Sequence, residues 1–297
     1  MADHQHARAG TPDVVLARSP ALGPLLARGA LRSPFRRPRP DARVPRTRLV
    51  LPGVRVDLAR LAAYERVCGF ATGEDALPVT YPHVLGFPLA MRLMSGRHFP
   101  LPLLGLVHTS IEITRRAPLP ATGTYDLSVR VAGTAPHRRG TEAALVTELR
   151  CAGELTGQPL WESRSTYLAR HRTGAAAPAA APTAGEPLPG VAEWRLAGDV
   201  GRRYGAVSGD RNPIHLYPLT ARLFGFRQAI AHGMWTAARC LAAHGTPDAV
   251  RVRTEFRSPV PLPGTVRYAA DGTGRFELRR DDGPGAHLTG EVLPPAT

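Results

Sequence analysis

Residues 204–234 read YGAVSGDRNPIHLYPLTARLFGFRQAIAHGM and contain the densest group of polar residues that could do chemistry. Asp210, Asn212 and His215 place a carboxylate, an amide and an imidazole within six residues. Gly209 permits a tight turn, and the proline after the amide keeps that residue out of the helical region. Such a turn could hold the carboxylate and the imidazole against one water and shuttle its protons, which is what addition or removal of water requires.

The residues after this turn predict a helix over 233–244, because the segment is rich in alanine and ends at Gly245, a good C-cap. The helix would begin at Gly233, where free backbone N–H groups and the positive end of the helix dipole could stabilise an oxyanion. His232 lies on an otherwise apolar stretch, and such histidines are more often structural than ligands. The start of this helix, at Gly233, is therefore predicted to be a second element of the same site.

These residues resemble the hydratase motif of the MaoC-like dehydratases, (R)-specific enoyl-thioester hydratases with the hot-dog fold. The departure from the motif is Gly205, where alanine is usual. The resemblance implies that Asp210 and His215 hold the catalytic water and that the Gly233 N–H polarises the thioester carbonyl. It further implies that the turn is oriented, or the substrate contacted, by Ser208, Asn212, His232 and Met234.

The pattern of the second half is repeated in the first. IEITRRAPLP at 111–120 echoes TEFRSPVPLP at 254–263, which indicates a duplicated domain. Strand patterns in the second half fall at 250–256, 265–270, 275–280 and 287–293, and in the first half near 106–114, 125–132, 143–150 and 160–169. We predict an α+β double hot-dog fold, in which each half is a central helix wrapped by an antiparallel sheet.

The domain boundaries follow from composition. An Ala/Pro stretch at 172–188 is interpreted as a linker between a first hot-dog at 49–171 and a catalytic one at 189–297. In the first half, Phe70 occupies the position of the second half's carboxylate, so this half is predicted to be degenerate. His83 and His108 each lie alone in apolar sequence and are interpreted as core or pocket-wall residues. The resemblance suggests that this half makes room for the acyl chain.

Charge suggests a different class of protein. The formal net charge is +14, and all 38 basic residues are arginine. Residues 1–48, a Pro-rich leader that we expect to be flexible in part, contain ten Arg and three Asp, a surplus of seven positive charges. The alternative is therefore a protein without catalytic activity, either a basic nucleic-acid-binding protein or a scaffold. Aromatic residues, however, make up only 6% of the sequence and are not interleaved with the arginines. Nucleic acid is therefore not the favoured partner.

The sequence thus predicts a hydro-lyase that reversibly hydrates a trans-2-enoyl thioester, carried on coenzyme A or acyl carrier protein, to the (R)-3-hydroxyacyl thioester. Hydrolysis of the thioester on the same fold is the alternative within enzymology. We predict no cofactor and no metal, since hydration of a conjugated thioester needs none, although Asp210, His215 and His232 are suitable ligand types. The three cysteines are far apart in the sequence, which favours a cytoplasmic protein. No segment predicts a membrane span. The sequence leaves open whether two such chains form a homodimer.

Overall fold

The computed structural model describes residues 12–38, 40–154, 156–173, 188–283 and 285–295. Its strands are β1 (Asp13–Val15), β2 (Arg48–Arg55), β3 (Leu106–Arg115), β4 (Thr124–His137), β5 (Gly140–Cys151), β6 (Trp161–Arg170), β7 (Gly190–Leu196), β8 (Val250–Phe256), β9 (Gly264–Ala270), β10 (Arg275–Arg280) and β11 (Ala286–Leu293). Its helices are α1 (Leu22–Arg32), α2 (Leu58–Cys68), α3 (Tyr81–Ser95), α4 (Val200–Ser208), α5 (Pro218–Arg222) and α6 (Gly233–His244). None of these helices is long and apolar enough to cross a membrane.

All the strands in the described ranges join one sheet in the order β1-β2-β4-β5-β6-β3-β8-β11-β10-β9-β7. The two halves meet where β3 pairs antiparallel with β8, from Ser110 opposite Glu255 to Arg115 opposite Val250. Helix α3 packs on β4 and β5, and α6 packs on β10 and β11. The predicted double hot-dog is confirmed, with one central helix on the sheet of each half.

Side chains also tie the two halves together away from the sheet. The indole N–H of Trp235, on α6, donates to the Val67 carbonyl on α2, at 2.9 Å. The buried guanidinium of Arg115, at the end of β3, donates to the carbonyls of Pro247 and Asp248 in the loop before β8, at 2.7 and 2.9 Å. The halves therefore share a core and hydrogen bonds across their boundary.

From α6 onward, the sequence predicted the second half closely. Helix α6 has the predicted bounds, and each of β8 to β11 begins and ends within one residue of its prediction. In the first half, β4 and β5 extend beyond the predicted segments into a long hairpin that turns at His137–Gly140. Strands β1, β2 and β7 and helices α1, α2, α4 and α5 were not predicted as such. Residues 174–187, most of the predicted linker, and residues 1–11 of the predicted leader lie outside the described residues.

Much of the remaining leader is folded. Strand β1 pairs in parallel with β2, and α1 packs along α3. Beyond α1, Arg36 donates hydrogen bonds to three carbonyls at and after the end of α3, those of Met94 (2.9 Å), Leu101 (2.8 Å) and Gly96. The last carbonyls of a helix have no intrahelical partner, so this guanidinium acts as a C-terminal cap supplied by a distant part of the chain.

We therefore expect Arg36→Ala to lower the free energy of unfolding by about 1 to 3 kcal/mol, because it leaves carbonyls at the end of α3 without their charged donor. Urea unfolding measures the change. Arg37→Ala is the matched control, since Arg37 is the neighbouring arginine and is exposed. Equal stabilities for the two variants would contradict a capping role for Arg36.

Candidate active site

Helix α4 leads directly into the predicted catalytic turn and lies unusually close to it. A Cβ added at Gly201 would overlap the carbonyl of His215, and one added at Gly205 would lie 2.8 Å from the carbonyl oxygen of Asp210. The helix ends at Gly209, whose φ of 83° is in the left-handed region that favours glycine. Glycine at these positions lets the turn fold back against α4, including at Gly205, the position that departs from the motif.

Hydrogen bonds within the turn fix the direction of the carboxylate. The Asp210 N–H donates to the Ser208 hydroxyl at 3.2 Å, and Asp210 Oδ1 accepts from the Asn212 N–H at 3.1 Å. Asn212 Oδ1 in turn accepts from the Ile214 N–H at 3.4 Å. Ser208 and Asn212 are thus placed to orient the turn, while the Asp210 side chain keeps 30% of its surface exposed and its second oxygen is left for other partners.

His215 lies on the short 3₁₀ turn Pro213–His215 and is 8% exposed. Its Nδ1 is 2.7 Å from the carbonyl oxygen of Ile230, which can only accept, so Nδ1 carries the proton. Burial lowers the pKa of His215, an effect that the nearby Asp210 charge opposes. The imidazole is therefore held neutral with Nε2 unprotonated, as a general base requires.

His232, the N-cap residue of α6, contacts both residues that are predicted to be catalytic. Its Nε2 is 2.9 Å from the carbonyl oxygen of Asp210, and its ring is stacked on that of His215 with 3.7 Å between ring centroids. The ring is 2% exposed, and burial together with the neighbouring His215 holds its pKa well below the ordinary value. A neutral His232 donates its Nε2 hydrogen to the Asp210 carbonyl, and this hydrogen bond orients the turn.

The three side chains meet closely enough to share one small ligand. One nitrogen of each imidazole and one Asp210 oxygen lie within 4.8 Å of one another. By ligand type and distance this set could hold a metal ion, and it is equally able to surround one water.

Helix α6 provides the second predicted element. The Gly233 N–H is in the first turn and has no intrahelical acceptor. A Cβ on Gly233 would lie 3.1 Å from the ring of Phe256, so glycine allows this ring and the helix start to approach each other. Met234 is 7% exposed and packs in the hydrophobic core. The structure thus brings Asp210, His215, His232 and Gly233 together, with Met234 behind them.

The first half contributes residues that the sequence did not reveal. Tyr64 and Tyr204, from corresponding helices of the two halves, lie 6.1 Å apart by ring centroids, and Tyr204 lies 4.9 Å from His232. His83 and His108 each lie alone in apolar sequence, but in the fold their rings are stacked with 5.9 Å between centroids. No local pattern could have shown this, since one lies on α3 and the other on β3.

Known proteins are similar to this chain over most of its length. The MaoC like domain family matches residues 180–282. The 3-hydroxyacyl-thioester dehydratase X of Mycobacterium tuberculosis is 38% identical over 262 residues, which cover 86% of this chain and 91% of that protein. A crystal structure of HtdX from the same organism has a TM-score of 0.72 at 38% identity, covering 82% of this chain and 99% of that one. A MaoC-like dehydratase from Phytophthora capsici, 19% identical, shares the fold with a TM-score of 0.66 over 83% of this chain and 94% of its own.

The neutral state of His232 leads to a prediction for stability. Since its pKa is lowered in the folded protein, below about pH 6.5 the unfolded chain binds a proton that the folded chain does not. The free energy of unfolding should therefore fall as the pH falls, by up to about 1.4 kcal/mol per pH unit for each such histidine. His232→Gln keeps an N–H for the Asp210 carbonyl but removes one titrating group, so urea unfolding should show a shallower loss between about pH 6 and pH 5.

The comparison at about pH 8, where imidazoles are neutral in both states, is the control for any change in packing or hydrogen bonding. Parallel pH dependences for the wild type and His232→Gln would show that His232 is not held neutral.

Proposed function

Because the chain belongs to the MaoC-like dehydratase family, we propose that it reversibly adds water across a trans-2-enoyl thioester to give the (R)-3-hydroxyacyl thioester. One observation supports this most directly. A carboxylate and a neutral imidazole with a free Nε2 converge within reach of one water, close to a helix N-terminus that can bind a carbonyl oxygen. These are the groups that hydration of a conjugated carbonyl compound needs.

In the hydration direction, Asp210 accepts one hydrogen bond from the water and orients it. Nε2 of His215 takes the other proton as the water oxygen forms its bond to C3. The electrons of the C2–C3 double bond move toward the thioester, and the Gly233 N–H stabilises the enolate oxygen. The protonated His215 then returns the proton to C2, which restores the carbonyl and the resting imidazole. Dehydration is the reverse, and because both groups approach one face, a single enantiomer is expected.

One such site is expected per chain. The acid, the base and the oxyanion donor all come from the second half, and Phe70 stands where the first half would need its carboxylate. Phe70 instead stacks on Tyr64 with 6.3 Å between ring centroids. We infer that the first half serves the substrate and the structure rather than a second reaction.

The proposal includes the carrier of the acyl group and the cellular compartment of the protein. Coenzyme A and acyl carrier protein both attach the thioester through a phosphate-bearing arm, which the arginine-rich surface suits. The buried state of Cys68 and Cys240, with Cys151 partly exposed and all three free, fits the expected cytoplasmic setting. Neither hydrolysis of the thioester nor nucleic-acid binding is supported by the relatives described above.

Asp210→Asn and His215→Gln should each lower kcat by on the order of 100-fold or more while leaving the fold intact, because each removes one of the two groups that handle the protons of the water. Hydration of crotonyl-CoA, followed by loss of the enoyl-thioester absorbance, measures this. Asp199→Asn is the matched control, since Asp199 begins the same α4 and its side chain makes no capping hydrogen bond. Activity within a few fold of wild type in either site variant would rule out the assigned roles.

The pH dependence of kcat/KM tests the neutral base. Burial lowers the pKa of His215, so the imidazole stays unprotonated to below the ordinary value of 6.5. We expect kcat/KM for hydration to be level from about pH 8 to about pH 6.5 and to fall only at more acidic pH. A midpoint of the acid limb above about pH 6.5 would contradict a buried His215 as base.

A further inference from the structure

An irregularity in β3 turns one histidine toward the interior. Ile111 and Ile113 are buried, so simple alternation places the odd-numbered residues of β3 on the core-facing side. The pairing with β6 shifts between His108 and Ser110, and one extra residue, Thr109, is inserted there. Such a bulge reverses the facing of the residues before it, so His108 points to the same side as the isoleucines.

The reoriented ring belongs to a cluster drawn from both halves. His108 stacks on Tyr167 of β6 with 4.5 Å between ring centroids, and it lies 4.9 Å from Phe256 of β8. On its other side is His83, in the first turn of α3, at 5.9 Å. Phe256 is also the ring that lies against Gly233. The cluster therefore reaches from the first half to the start of the oxyanion helix.

The two histidines carry hydrogen-bonding atoms that the protein leaves unused. Among the described residues, Nδ1 of His83 and Nε2 of His108 are buried without a partner. Burial lowers the pKa of His83 to about 4 and that of His108 well below its usual range, so both rings are neutral. Buried polar atoms are usually paired, and two orphans in contacting rings beside a catalytic turn call for an explanation.

The charge of Asp210 affects the pKa values of two residues of the cluster. It acts on both His83 and Tyr167, raising the pKa of each while burial dominates their shifts. His108, Tyr167 and Phe256 each keep part of their surface exposed, and Phe256 lies against Gly233, so a substrate bound at the start of α6 could reach the cluster. Since the carrier end of a thioester must lead to solvent, the acyl group is the part of the substrate that we take to extend toward these rings.

We propose that His83 and His108 bind a hydroxyl group on the acyl chain beyond C3, so that the preferred substrates are hydroxylated enoyl thioesters rather than plain alkyl ones. This inference rests on the proposed hydratase function. Nε2 of His108 has no partner in the described part of the protein and can accept a hydrogen bond when Nδ1 carries the proton. Nδ1 of His83 can carry the proton, so the pair offers a hydroxyl one donor and one acceptor.

The test compares trans-2-hexenoyl-CoA with 5-hydroxy-trans-2-hexenoyl-CoA, with crotonyl-CoA as the reference substrate. The wild type should show kcat/KM about 10-fold or more higher for the hydroxylated hexenoyl thioester, because a site with unpaired polar groups discriminates against the analogue that cannot pair with them. His108→Phe keeps a ring to stack on Tyr167 and Phe256 but removes the nitrogen, and it should reduce this ratio to about 1. His83→Phe tests the other histidine, which lies on α3, and should likewise reduce the ratio of the two kcat/KM values.

His98→Phe is the matched control, the same change at an exposed histidine, and should retain the wild-type ratio. A wild-type ratio near 1 with crotonyl-CoA hydrated normally would overturn this inference alone. The inference is equally overturned if His108→Phe and His83→Phe fold, by circular dichroism, yet slow both hexenoyl substrates to the same extent. Failure of the wild type to hydrate any of the three would overturn the proposed function and the inference with it.

Discussion

The pairing of β3 with β8 is the interaction on which the rest of the structure depends. A single hot-dog sheet leaves an edge strand with unpaired backbone groups, and here each half covers that edge with the other. The same pairing sets Phe256 of the second half beside His108 of the first. The contact of the first half with the ring that lies against Gly233 is therefore a consequence of sheet continuity rather than a separate feature of the fold.

Several arginines in this chain bind backbone carbonyls in distant parts of the structure. Arg36 caps the end of α3, and Arg115 donates to carbonyls of both halves. Arg60 on α2 donates to the Val207 carbonyl at 2.6 Å, one residue before the end of the helix that leads into the catalytic turn. A guanidinium has five donors in a fixed geometry, so one side chain can satisfy several orphan carbonyls. The net charge of +14 thus overstates how much of the arginine is available to an anionic partner.

The parts of the molecule that were predictable from sequence are those encoded locally. The turn around Asp210 and the helix at Gly233 depend on residues within thirty positions, and strands β8 to β11 show clear alternation between turn signals. The His83–His108 contact joins α3 to β3 and requires a bulge whose presence is visible only in the pairing with β6. Helix α1 likewise packs on α3, which lies far along the chain. Because the proline-rich segment that contains α1 gave no sign of this contact, the sequence indicated a partly flexible leader instead.

The helices that correspond to each other in the two halves form one packed group beside the Asp210 turn. Tyr64 and Tyr204 occupy corresponding positions of the duplicated helices α2 and α4, which pack against each other. Phe70 stacks on Tyr64, and Tyr204 lies against His232, which holds the Asp210 backbone. A carboxylate at position 70 would need water or a donor beside these rings, whereas a phenyl ring adds packing against Tyr64. The aromatic contacts therefore run from the first half to the residue that binds the Asp210 carbonyl, which agrees with the proposed structural role of the first half.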